Sequence, residues 1–144
     1  MKLSERDRLN QTGTAIVQSA IKVHKTLGPG LLESAYQTCL ALELRKMGFE
    51  VETEVQLPIV YKGCRIHAGY RIDMLVGDSV VIENKAVDRL LPVHTAQILT
   101  YLELSGKQLG YLLNWNVRLM KSGIKRFVAG RFTDRQGRDG CFER

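Results

Sequence analysis

Nowhere in this 144-residue chain is there an uninterrupted apolar run long enough to span a membrane, and its start lacks the basic-then-apolar pattern of a secretory leader. The expectation is a cytoplasmic protein with no membrane partner. Cysteine is scarce: Cys39, Cys64 and Cys141 are widely spaced and odd in number, which argues against a disulfide framework or a zinc site. Three thiolates also fall short of the four that an ordinary iron–sulfur cluster takes. There is no internal repeat and no sign of a second domain. Residues 1–132 read as one folded unit, and 133–144, rich in Arg, Asp and Gly, as a polar tail. What is present is ordinary for a globular core, at 44% apolar and 25% charged residues. A net charge of +6 is compatible with a polyanionic partner without requiring one.

Periodicity sets the elements. Leu9, Ile16, Ala20, Val23 and Leu27 form one stripe of a helix from about Ser4 to Leu27, broken by Gly28-Pro29-Gly30. A second helix is expected over Leu31 to Met47, burying Leu32, Ala35, Tyr36, Cys39, Leu42 and Met47, with Gly48 as its cap. Glu33 and Tyr36 share a face of it. Phe49 to Thr53 and Val55 to Tyr61 read as short strands, the latter interrupted by Pro58. A long strand follows from Arg65 to Val76, then a turn, then Val80 to Lys85. Pro92 suits the first turn of a helix that ends at Gly106 and carries His94, Gln97 and Tyr101 on one side. Leu109 to Asn114 and Ile124 to Phe132 complete the strands, giving a mixed α/β fold with one central sheet.

The stretch Arg71 to Lys85 carries charges on strands that otherwise look buried. Alternation puts Arg65, His67, Arg71 and Asp73 on one face, and Glu83 with Lys85 on one face of the next strand. A three-residue connection, Gly77-Asp78-Ser79, pairs Val76 with Val80 and thereby sets Asp73 directly opposite Glu83. A two-residue loop would oppose Asp73 to Ile82 instead.

Two adjacent carboxylates repel unless something offsets the charge, and a hard divalent cation does so directly. Mg²⁺ retains waters and needs only one or two carboxylates, so Asp73 and Glu83 suffice, with a backbone carbonyl near Asn84 as a further ligand. Lys85, on the same face, could orient a water and stabilise charge growing on a phosphorus. A Glu-x-Lys triplet alone says little. With each residue at roughly 6% of an average sequence, about one in two chains of this length has one. Its position after a buried strand and turn, with Asp73 in register, gives it meaning. The plainer alternative is a structural salt-bridge cluster at a sheet edge.

Asp73, then Glu83-x-Lys85, then a helix with Gln97-x-x-x-Tyr101 resembles the PD-(D/E)xK nuclease superfamily in its RecB-like form. Gly30-Leu-Leu-Glu33-Ser-Ala-Tyr36 is similar to the motif that names the GxxExxY protein family. That similarity extends through Val23-His24-Lys25, Gly28-Pro29-Gly30 and Asn114-Trp115-Asn116 to Gly123-Ile124-Lys125-Arg126. The resemblance implies an αβββαβ restriction-endonuclease-like core, a divalent metal (Mg²⁺ or Mn²⁺) and cleavage of nucleic acid. It assigns Asp73 and Glu83 as metal ligands and Lys85 as the catalytic lysine. Glu33 becomes the acid that holds metal waters or a second ion, and Gln97 and Tyr101 the residues that position substrate. The cysteine cluster of some RecB-like relatives is absent, and so is the superfamily's proline next to Asp73.

Around this set, Tyr36 reads as a packing residue whose hydroxyl supports the site. His94, His67 and Arg71 could contact substrate. His24 reads as a helix-end partner, and Trp115 either stacks on a base or packs in the core. Lys121, Lys125, Arg126 and Arg131 form either a phosphate track or a solvated face. The expected activity is metal-dependent phosphodiester hydrolysis on nucleic acid, DNA favoured over RNA, with a homodimer as an option. The alternatives are a non-catalytic nucleic-acid-binding or interaction protein that keeps the fold, and a hydrolase of small phosphodiesters.

Overall fold

Ser4 opens the first helix by accepting a hydrogen bond from the Asp7 N–H on its side-chain oxygen. In the computed structural model, which describes residues 2–130, this helix, α1, spans Glu5–Leu27 and ends where Gly28 takes φ 68°, a left-handed value that favours glycine. The second helix, α2, spans Glu33–Lys46. The strands are β1 (Val51–Gln56), β2 (Ile59–Tyr61), β3 (Cys64–Ile66), β4 (Arg71–Val76) and β5 (Val80–Lys85). Helix α3 (Pro92–Ser105), strand β6 (Leu109–Asn114), a short 3-10 turn at Met120–Gly123 and strand β7 (Ile124–Val128) follow.

The main sheet has the order β1-β4-β5-β6-β7 and is mixed, because only β5 and β6 run parallel, joined through α3. A parallel pair needs such a crossover, and α3 supplies it. α1 and α2 cover one face, packing Ile16, Ala20, Tyr36, Leu40 and Leu44 against Met74, Val76, Ile82 and Leu113. α3 covers the other, bringing Tyr101 and Leu102 to Leu75 and Val81. Buried on both sides, β5 and β6 read as near-continuous apolar runs until their carboxyl ends, where Glu83, Asn84 and Asn114 appear.

The expected fold class therefore holds, and so does the hairpin register, with Val76 opposite Val80 and Met74 opposite Ile82. Three element details differ. The long strand from Arg65 breaks at residues 67–70, where Gly69 has φ 80°, and its first part pairs with β2 in a separate two-stranded sheet. β1 runs unbroken through Glu54, and Pro58 separates it from β2. On α2 the buried face is Tyr36, Leu40, Ala41 and Leu44, while Leu32, Leu42 and Met47 are exposed. Gly48, at φ 93°, closes α2 as expected just past the cap residue Met47, with the Gly48 N–H bonding Arg45 O and the Phe49 N–H bonding Leu44 O. Cys64 is disulfide-bonded, against the expectation from cysteine spacing, and Cys39 is a free, half-buried thiol. β7 ends at Val128; Phe132, Arg131 and the polar tail lie outside the described residues. Among the described residues no helix is long and apolar enough to cross a membrane.

Candidate active site

The carboxyl end of β5 is where the sheet stops being apolar. The β4–β5 ladder runs to Met74 and Ile82, and one step further the carboxylates take over the backbone groups. The Asp73 N–H donates to Glu83 Oε1 at 3.1 Å, and the Asn84 N–H donates to Asp73 Oδ2 at 2.8 Å. Each carboxylate is thus oriented by a main-chain donor from the opposite strand, and the two carboxyls also hydrogen-bond each other. Asp73 is half-buried and Glu83 only 3% exposed.

Burial dominates their electrostatics. It pushes the Glu83 carboxyl up to about 9, with the neighbouring Asp73 charge adding to the effect. Asp73 is raised as well, by burial first, against the Asn84 N–H and the Lys85 charge, which pull it down. Lys85 follows on the Glu83 face, half-buried, and its charge favours the ionised form of both acids. It belongs to neither of the two ion pairs among the described residues.

Two helices close on this end of the sheet. From the first turn of α2, Glu33 Oε1 accepts from the Ala86 N–H at 3.3 Å, immediately after Lys85. From α3, Gln97 Nε2 donates to the Tyr101 hydroxyl at 2.9 Å. The Tyr101 phenol is pushed up by burial, with the Glu83 and Asp73 charges contributing, so it stands in their field. Glu33 and Asp73 line a cavity of about 500 Å³ together with Gln37 and Glu54. Among the described residues no cluster of three or more His, Cys, Asp or Glu is arranged to hold a metal. The candidate donor set is the Asp73–Glu83 pair, and two oriented, charge-crowded carboxylates fit a hard cation that keeps its waters.

Behind the pair lies a polar spine through the core. The Trp115 indole N–H donates to Asn84 Oδ1 at 3.0 Å, and Asn84 Nδ2 donates to Gln37 Oε1 at 3.2 Å. Gln37 in turn donates to Glu54 at 2.9 Å. Trp115 stacks on Tyr36 with centroids 4.8 Å apart, and the Tyr36 hydroxyl donates to Gly28 O at 2.5 Å while accepting from the Leu31 N–H. Asn114 holds the loop beyond Lys85 by bonding both the N–H and the C=O of Val87. Gly123 lies against the Asn114 backbone carbonyl, where any Cβ would overlap the oxygen.

Asp73, Glu83, Lys85, Glu33, Gln97 and Tyr101 are thus assembled at one end of the sheet. Tyr36 is beneath it, fully buried. Arg71 is exposed on the Asp73 face of β4. His94 is not free for substrate through Nδ1, which accepts from the Leu91 N–H at 2.9 Å and so caps α3. His67 sits in the loop before β4 rather than on the strand. His24 is buried and bonds Val117 O at 2.8 Å, tying α1 to the segment after β6. Trp115 is wholly buried and cannot stack on a base. Sequence reading missed Glu54, whose charge raises Asp73 and which sits on β1 between Thr53 and Val55, the partners of Met74 and Ile72. Its φ of 54° is unusual for glutamate. Only the β1–β4 register could have revealed it.

The model of the PD-(D/E)XK nuclease superfamily matches residues 10–127. The chain belongs to that superfamily. The matched span runs from α1 to β7 and includes every PD-(D/E)XK candidate residue above. Among solved structures, the chain is similar to the crystal structure of LHK-Exo in complex with dAMP, at 17% identity over 83% of each chain with a TM-score of 0.42. No curated protein matches.

Proposed function

We propose that this superfamily member is a divalent-metal-dependent nuclease, hydrolysing phosphodiester bonds of nucleic acid at the end of β5. The observation that carries the reading is the pair Asp73 and Glu83, held side by side by each other's strand with Lys85 two residues on. Asp73 and Glu83 would hold the ion, Mg²⁺ or Mn²⁺, and Glu33 would hold its waters from the α2 side. Such an ion supplies Lewis acidity toward a phosphoryl oxygen and lowers the pKa of a water.

The chain's own residues do the rest. Lys85 Nζ donates to the attacking water or to the phosphoryl oxygens, and opposes the negative charge that accumulates as the phosphorus becomes five-coordinate. Gln97, anchored through its amide to Tyr101, keeps its oxygen available to orient a water or a substrate donor. The spine from Tyr36 through Trp115 to Asn84 fixes the strand on which Glu83 and Lys85 sit, so that little reorganisation is required at reaction. Within the superfamily we place the chain in the GxxExxY group, and the geometry gives that motif a rationale. Glu33 reaches the backbone after Lys85, while Tyr36 ties the glycine loop to the spine.

The test is cleavage of labelled DNA and RNA by purified protein with Mg²⁺, with Mn²⁺ and with chelator. Turnover is expected only with metal, and Lys85→Ala should lower it by about a hundredfold or more. Equal cleavage by wild type and Lys85→Ala would overturn the reading. Salt-sensitive binding without turnover on any substrate would favour a non-catalytic binder.

A further inference from the structure

Next to the carboxylate pair, a second cavity of about 410 Å³ opens between α3 and the chain that enters β4. Val93 and Ala96 line one side and Ile59 and Tyr70 the other. Gln97 and Tyr101 also line it, with Thr100 and Leu104, and Gln97 and Tyr101 are the residues bonded to each other in the field of Glu83. The cavity and the candidate site therefore share a wall. Tyr70 is 46% exposed and lies three residues before Asp73. The volume is that of a small-ligand pocket, and the walls are largely apolar.

A separate observation says what approaches this cavity. From Leu57 to Ile72 the sequence holds no Asp or Glu, while Lys62, Arg65, His67 and Arg71 are all exposed. They alternate with Tyr61 at 60%, Ile66 at 43% and Tyr70, which are exposed as well. The β2–β3 hairpin, the loop after it and the start of β4 thus present the cations Lys62, Arg65 and Arg71 interleaved with the rings of Tyr61 and Tyr70. That combination binds single strands, the cations following the phosphates and the rings stacking on bases, whose faces are free only when unpaired. The opposite flank of the site is acidic, with Glu33 and Glu54, so the strand is steered to the hairpin side.

We propose that the cavity walled by Tyr70, Val93, Ala96 and Tyr101 receives an unpaired nucleobase next to the scissile phosphate, making single-stranded nucleic acid the substrate. A base inside a duplex is covered on both faces by its neighbours and would first have to leave the stack. The proposal rests on the nuclease reading only in placing the phosphate at Asp73 and Glu83.

Binding measured in chelator, where metal-dependent turnover is absent, separates the two readings. The probes are a fluorescein-labelled oligodeoxythymidylate and a blunt duplex of equal length, followed by anisotropy. Wild type should bind the single strand about tenfold or more tighter than the duplex. Tyr70→Ala should weaken single-strand binding by about tenfold, Tyr70→Trp should retain it, and Ala96→Trp, which fills the cavity, should weaken it as Tyr70→Ala does. Tyr70 and Ala96 are surface positions, and circular dichroism verifies each variant's fold. Duplex binding as tight as single-strand binding, no binding of either probe, or variants indistinguishable from wild type would each overturn the proposal. None of these results bears on cleavage, which Lys85→Ala decides.

Discussion

Replacing Glu83 by glutamine should remove most of the pH dependence of folding stability that the metal-free protein shows between about pH 4.5 and 9. In the folded chain Glu83 is pushed up to about 9, chiefly by burial, whereas the unfolded chain returns it to its ordinary value of 4.5. Between those values the folded state binds the extra proton. Its stabilising contribution is complete below pH 4.5 and is lost as pH rises through about 9. At pH 7 the loss attributable to this group is roughly 3 kcal/mol, from the interval between 4.5 and 7 at 1.36 kcal/mol per unit. Asp73, raised in the same direction, adds to the slope. Glutamine is neutral throughout and its carbonyl oxygen can still accept from the Asp73 N–H. Urea unfolding of wild type and Glu83→Gln in chelator, at pH 5, 7 and 9, measures the difference. The variant should gain on wild type steadily as pH rises. Parallel profiles would refute the reasoning, because they would mean that Glu83 is not desolvated in the folded chain.

Three further outcomes follow from the same geometry. Trp115→Phe keeps a ring against Tyr36 but leaves the buried Asn84 Oδ1 without its indole donor, so urea unfolding should register a loss of about 1–3 kcal/mol. Gly123→Ala puts a methyl group against the Asn114 carbonyl and should cost about 1–3 kcal/mol by the same assay. It should also loosen the Asn114 clamp on Val87, visible as faster amide exchange at Val87. Addition of Mg²⁺ should reverse the pH trend of wild type, because an ion on Asp73 and Glu83 displaces the proton that Glu83 holds. Tm should then rise with metal, more at pH 8 than at pH 6, and Glu83→Gln should show little of that gain.

How much of the site the sequence carried depends on the range of the interaction involved. The Asp73–Glu83 register was legible because parity and a three-residue turn fix it locally, and Glu33 and Gln97 followed from the motif order. The break at Gly69 was not, since Ile66, Ala68 and Tyr70 keep a strand's alternation through a left-handed turn that only glycine betrays. The buried face of α2 was misplaced because leucines lie all around it, and packing chose Leu40 and Leu44 over Leu42. Glu54, and the donation of the Trp115 indole to Asn84, join residues far apart in sequence with no local signature. His94 shares a helical side with Gln97, and its Nδ1 is engaged by its own helix end, a local bond that spacing alone does not reveal.

The central claim is that Asp73 and Glu83 form a metal site, and the most direct measurement is anomalous scattering from crystals soaked in Mn²⁺. A peak about 2.1 Å from a carboxylate oxygen of each residue is the result expected. A fully occupied ion elsewhere, with no peak at the pair at pH 8, would contradict it.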